Sequence, residues 1–134
     1  ICQISLERQM IMGSALIAKC KCGFESDDIY AGGGMLDHDT NCTMPAVCTT
    51  CSILFEENIM TDKPIRCPKC RREASLYHSD PSLGSRAQSD NTVFDWTFTG
   101  NNSHWDSIYL WDIKYYYPKC KRMDMRFLHA GMWD

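Results

Sequence analysis

At 134 residues the chain has room for one ordinary domain or two small metal-stapled lobes, and its 44 % hydrophobic content supports a packed core and excludes a disordered chain. A formal charge of −3 argues against bulk, non-specific nucleic-acid binding and leaves room for a local basic face. Nine cysteines, an odd number with six in close pairs, exclude a fully paired disulfide framework. They point instead to metal in a reducing, cytoplasmic compartment.

In chain order, residues 1–11 are set aside as a leader or expression-derived residues. Residues 12–78 carry seven of the cysteines and several short β-like pieces. Ala15 to Lys21 reads as a strand running into the first cysteine pair. Phe24 to Tyr30 offers at most one short helical turn, and Ala31-Gly32-Gly33-Gly34 is a break. Ile53-Leu54-Phe55 is a strand, Thr61-Asp62-Lys63-Pro64 a turn, and Ile65-Arg66 leads into the last pair. Residues 79–92 are polar and turn-rich, as in a linker or long loop.

Residues 93–134 alternate as an antiparallel meander. Phe94, Trp96 and Phe98 share one face, and Gly100-Asn101-Asn102-Ser103 is a turn. Tyr109, Trp111, Ile113, Tyr115 and Tyr117 are expected on one face of a long strand. Met123, Met125 and Phe127 mark a final strand from Arg122 to Leu128. No segment is apolar for long enough to span a membrane. The fold class is therefore small and β-rich, stapled by metal in its first lobe, with an aromatic antiparallel second lobe.

The strongest chemical signal is Cys48-x-x-Cys51, fifteen residues, then Cys67-x-x-Cys70. Two residues between cysteines let a tight turn aim both sulfurs at one point, and two such knuckles complete a tetrahedron about 2.3 Å from a zinc ion. Fifteen residues hold two short strands and a turn. Four thiolates suit zinc, and iron in a rubredoxin-like site uses the same geometry. Cys-Thr-Thr-Cys followed by Cys-Pro-Lys-Cys resembles the zinc-ribbon family, and residues 20–77 resemble small bacterial zinc-ribbon proteins. The resemblance implies a pair of knuckles on a three-stranded sheet, binding zinc. Knuckles of this kind often carry glycine after the second cysteine, to allow positive φ. Here Ser52 and Arg71 stand there, and only Cys22 is followed by a glycine, Gly23. A pairing of Cys20 and Cys22 with Cys67 and Cys70 therefore stays open.

A second constellation is Cys20, Cys22 and Cys42 with His38 as the fourth ligand and His78 as its rival; unmetallated thiols are the alternative. A short repeat also stands out. Cys67-Pro68-Lys69-Cys70-Arg71-Arg72 is echoed by Tyr117-Pro118-Lys119-Cys120-Lys121-Arg122, with tyrosine in place of the first cysteine. That pattern suggests a second ribbon-like unit at 93–134 that has lost its metal.

Arg66, Lys69, Arg71, Arg72, Lys119, Lys121 and Arg122 cluster beside these turns. They either contact phosphates or offset the charge of a thiolate centre. Four thiolates around one divalent ion carry a net −2 that a neutral-thiol count leaves out, taking the chain from −3 to near −5. No nucleophile has an evident base, and Ala31 to Gly34 lacks the Gly-Lys-Ser/Thr of a P-loop. The reading that follows is a non-enzymatic, zinc-binding, cytoplasmic adaptor or inhibitor with a protein partner. A nucleic-acid-binding ribbon and a thiol redox switch are the alternatives.

Overall fold

A computed structural model describes residues 13–33, 42–60, 63–85, 91–97 and 107–133. Cys2, His38, Phe98, Trp105, the 100–103 turn, Thr61-Asp62 and the leader all lie outside the described residues. Among the described residues nine strands follow one another: β1 (Gly13–Cys20), β2 (Ile29–Ala31), β3 (Thr43–Cys48), β4 (Ile53–Asn58), β5 (Ser75–Leu76), β6 (Thr92–Thr97), β7 (Ser107–Trp111), β8 (Tyr115–Tyr117) and β9 (Arg122–Trp133). Among the described residues there is no α-helix, only a 3-10 turn at Pro81–Leu83. The expected helical turn at 24–30 is absent. Glu25 bridges back to Lys19, and β2 begins at Ile29.

All pairing between these strands is antiparallel, in sheets ordered β2-β1-β9-β8, β4-β3-β5 and β6-β7. β1 and β3 are central in their sheets and buried on both faces over most of their length. This is why Ala15-Leu16-Ile17-Ala18 and Met44-Pro45-Ala46-Val47 read as continuous apolar runs rather than alternating ones. Pro45 lacks a donor, yet sits inside β3. Its carbonyl accepts from the Tyr77 amide at 3.2 Å, so its nitrogen faces the same side, just past the two-residue β5, where only one ladder bond is lost.

The two regions expected as lobes are joined by strand pairing and by a shared core. β1, from the first region, pairs with β9, from the last, along Gly13–Cys20. One hydrophobic core takes Leu16, Met44, Val47 and Tyr77 together with Phe94, Trp96, Leu110, Tyr115 and Phe127. At its centre Tyr77, Tyr115 and Phe127 meet edge-on, with ring centroids 5.2–5.6 Å apart. The expected linker is partly built in. Leu83 is buried, Gly84 bridges to Tyr115, and the Ser85 amide donates to the Lys114 carbonyl at 2.7 Å.

The long strand expected through Tyr109 to Tyr117 is two strands separated by a bend at Asp112–Lys114, and its facing changes there. In β7 Ile108 and Leu110 point inward, while Tyr109 and Trp111 are 45 % and 39 % exposed. In β8 Tyr115 and Tyr117 are buried. The bend lets the chain re-enter on the opposite pleat, a change that alternation alone does not signal.

Gly32 holds a tight junction between β2 and β3. Its φ is +85°, and a Cβ there would stand 2.9 Å from the Phe94 and Trp96 rings. Gly32→Val is expected to cost about 2–4 kcal/mol, from strained backbone plus overpacking. A urea midpoint unchanged from wild type would contradict this packing.

Candidate metal centre

The hairpin of β3 and β4 ends in the turn Cys48–Ser52, which presents Cys48 and Cys51. The Cys51 amide donates to the Cys48 sulfur at 3.3 Å. Opposite it, the turn after Cys67 is closed by the Arg71 amide donating to the Cys67 carbonyl at 3.0 Å and the Cys67 amide donating to Arg72 at 2.8 Å. The amides of Lys69 and Cys70 point at the Cys67 sulfur, at 3.4 and 3.5 Å. Ser52 and Arg71 adopt positive φ, +57° and +65°, so the turns form without the glycine that would have eased them.

These turns bring all four sulfurs within 4.8 Å of one another. Cys48 and Cys70 are 3.7 Å apart, and Cys51 and Cys67 are 3.8 Å apart. A tetrahedron of sulfurs about 2.3 Å from a central ion has edges of about 3.8 Å. The cluster can therefore hold a metal ion with little movement. The alternative pairing of Cys20 and Cys22 with Cys67 and Cys70 is not the one adopted.

The thiols are already differentiated. Burial pushes Cys67 up, but the amides of Cys70 and Lys69 outweigh it and bring the thiol down to about 6. Cys51 is pushed up to about 12, by its contact with Cys70 and then by burial. Of the four, Cys67 is the thiol held down by backbone amides, and a bound cation would supply the charge that ionises its neighbours.

A second cluster exists, with a different membership from the one expected. Cys20 and Cys22 are joined by Cys120, and their sulfurs lie within 4.8 Å of one another. Cys42 takes no part. It is fully buried in the core beside the β3 strand start, and burial pushes its thiol up to about 12, so it stays a neutral apolar side chain. His38 lies outside the described residues. Cys120 was expected to be the residue of a metal-free echo; the pairing of β1 with β9 brings its turn to Cys20 instead, with sulfurs 3.5 Å apart. The signal for it was present in the Tyr117 to Arg122 echo, but only the β1–β9 pairing reveals its partner Cys20, 100 residues away in sequence.

His78 joins neither cluster. It lines a separate cavity of about 1030 Å³ with Tyr77, Pro81, Trp111 and Tyr115, and burial pushes it down from 6.5 to about 4. A depressed histidine favours the unfolded chain when protonated. Its stabilising contribution is therefore complete above pH 6.5 and is lost as pH falls toward 4. Between pH 7.5 and 5.5 the wild type is expected to lose about 1 kcal/mol more than His78→Leu in parallel urea titrations. Equal losses would contradict the burial of a neutral ring.

Among the described residues all the cysteines are free thiols, and no helix is long and apolar enough to cross a membrane. The basic side chains Arg66, Lys69, Arg71, Arg72, Lys119, Lys121 and Arg122 are exposed around both sets of turns. No family model, curated protein or solved structure matches the chain.

Proposed function

We propose that the chain is a non-catalytic zinc module of the ribbon type, working in the cytoplasm as a protein-binding adaptor or inhibitor. The observation that carries this reading is the closed set of four sulfurs at Cys48, Cys51, Cys67 and Cys70. Four thiolates at tetrahedral spacing suit zinc, and a centre whose four positions all come from the protein has none left for a substrate.

The partner reading rests on a groove of about 640 Å³ whose walls follow the cysteine turns: Phe24 to Ile29 after Cys22, Ser52 to Glu56 after Cys51, with Tyr117 and Lys119 beside Cys120. Glu25, Asp27, Asp28 and Glu56 stand exposed along it against the single cation Lys119. Glu25 is partly occupied by Lys19 at 3.3 Å, and Glu56 accepts from the Tyr30 amide at 3.0 Å. Phe24 and Phe55 add apolar floor. Such a groove suits a basic protein segment.

The nucleic-acid alternative draws on the exposed arginines and lysines beside the turns. The redox-switch alternative draws on the exposed thiol of Cys22, lowered by the Phe24 amide. Zinc release under mild peroxide is the mark of that third reading.

Titration of the zinc-loaded chain separates the first two. A fluorescent Lys/Arg-rich peptide is expected to bind and to weaken roughly tenfold on double charge reversal, Asp28→Lys with Glu56→Lys. Duplex DNA is expected to bind poorly. Tight DNA binding that falls steeply with salt and is lost in Arg71→Glu/Arg72→Glu would overturn the protein-partner reading.

A further inference from the structure

The cluster of Cys20, Cys22 and Cys120 repeats the local architecture of the four-cysteine centre, one ligand short. Its first turn closes with the Gly23 amide donating to the Cys20 carbonyl at 3.0 Å and the Cys20 amide donating to Phe24 at 3.0 Å. Its second turn closes with the Lys121 amide donating to the Tyr117 carbonyl at 2.8 Å, matching the Arg71–Cys67 bond of the first centre. Gly23 and Lys121 both have positive φ, +102° and +56°, as Ser52 and Arg71 do. Four turns therefore place the same left-handed residue just after a cysteine. In three of them that residue is not glycine, so the conformation is held against its intrinsic cost.

The missing ligand is at Tyr117, the position equivalent to Cys67. Its ring is buried and stacks on Phe24 with centroids 4.3 Å apart, so it fills space without supplying sulfur. Among the described residues no other Cys, His, Asp or Glu joins the three sulfurs. In place of a fourth ligand there is an opening: a cavity of about 330 Å³ lined by Lys21, Cys22, Cys120, Arg122 and Asp124. Three thiolates around a divalent ion leave one net negative charge, and Lys21 and Arg122 stand beside it.

We infer that Cys20, Cys22 and Cys120 form a second metal site for a thiophilic divalent ion such as zinc, with three protein thiolates and a fourth position open to solvent. Binding releases the protons of those thiols that are not already ionised, and water completes the coordination. The ion at this site exchanges and is chelated more readily than the ion of the closed centre, because a competing ligand can enter without first displacing a cysteine. This inference rests on the metal-binding reading above, and the two fail separately in the experiment that follows.

The full-length chain is purified under reducing conditions, loaded with cobalt(II) or zinc, and assayed for metal content, thiolate-to-cobalt absorption and release to a colorimetric chelator. Wild type is expected to hold two ions, one released fast and one slowly. Cys120→Ser and Cys22→Ser are each expected to keep only the slow ion, with the four-thiolate absorption intact. Tyr117→Cys supplies the fourth sulfur and is expected to convert the fast ion into a slow one. A single ion in wild type, unchanged in Cys120→Ser and in Cys22→Ser, would overturn the inference while leaving the closed centre standing. A Cys20–Cys120 disulfide in anaerobically purified protein would overturn it as well. Loss of the slow ion in Cys67→Ser alone bears on the closed centre and leaves the fast ion as an independent readout.

Discussion

Stripping the closed centre, with a strong chelator or by Cys67→Ser, is expected to lower the melting temperature by about 20 °C, equivalent to roughly 5 kcal/mol for a domain of this size. The magnitude follows from two opposing facts. Structural zinc contributes about 10–16 kcal/mol of binding free energy in small peptides that have no core of their own. This chain has one, with Leu16, Met44, Leu110 and Phe127 buried, so part of the fold outlasts the metal. The end of the β3–β4 hairpin does not. Its turn holds Ser52 in a left-handed conformation, and beyond the sulfurs only short strands fix it against the 67–72 turn. Wild type and Cys67→Ser, each treated with the strong chelator, should melt together in scanning calorimetry. A Cys67→Ser variant that melts within a few degrees of wild type would mean that the four thiols play no structural part.

Phe127→Ala is expected to destabilise the whole chain by about 3–5 kcal/mol. Phe127 is almost fully buried, lies on β9 opposite Ala18 of β1, and packs on the edges of Tyr77 and Tyr115. Its neighbours therefore come from both ends of the sequence. One transition should shift, seen alike by near-ultraviolet circular dichroism of the aromatics and by metal release. Two transitions, with only one moved, would mean that residues 12–78 and 93–134 fold as separate units. By the same reasoning a chain cut at 78 should not fold, since β1 would lose β9 and Tyr77 would lose both of its ring partners and the Tyr116 carbonyl that its hydroxyl bonds at 2.8 Å.

The features legible in the sequence were those encoded locally. Cys48-x-x-Cys51 and Cys67-x-x-Cys70 specify their own turns, so the closed cluster could be read from spacing. The strands β1, β4, β6 and β9 announced themselves through apolar runs or alternation. The features that escaped depend on contacts between distant residues. Cys42 and Cys120 are both cysteines near other cysteines in sequence or motif. Only the β1–β9 pairing decides that Cys120 meets Cys20, and only the assembled core seals Cys42. Residues 79–92 are turn-rich, but β1 and β2 from before them share a sheet with β8 and β9 from after them, which turn signals do not reveal. In β7 the more aromatic face is the exposed one. The apolar Ile108 and Leu110 win the interior, because Tyr109 and Trp111 tolerate water better and stack on each other with centroids 5.5 Å apart. Positive φ at Ser52, Arg71 and Lys121 was likewise hidden, since none is a residue type that advertises it.

The central claim is that the four-cysteine cluster is a metal centre, and the metal content of protein purified under reducing conditions tests it most directly. Elemental analysis should find zinc in wild type, one ion fewer in Cys67→Ser, and in Cys120→Ser the ion held by Cys48, Cys51, Cys67 and Cys70. Wild-type protein that carries no metal, and takes up none when zinc is added in its reduced form, would contradict the account.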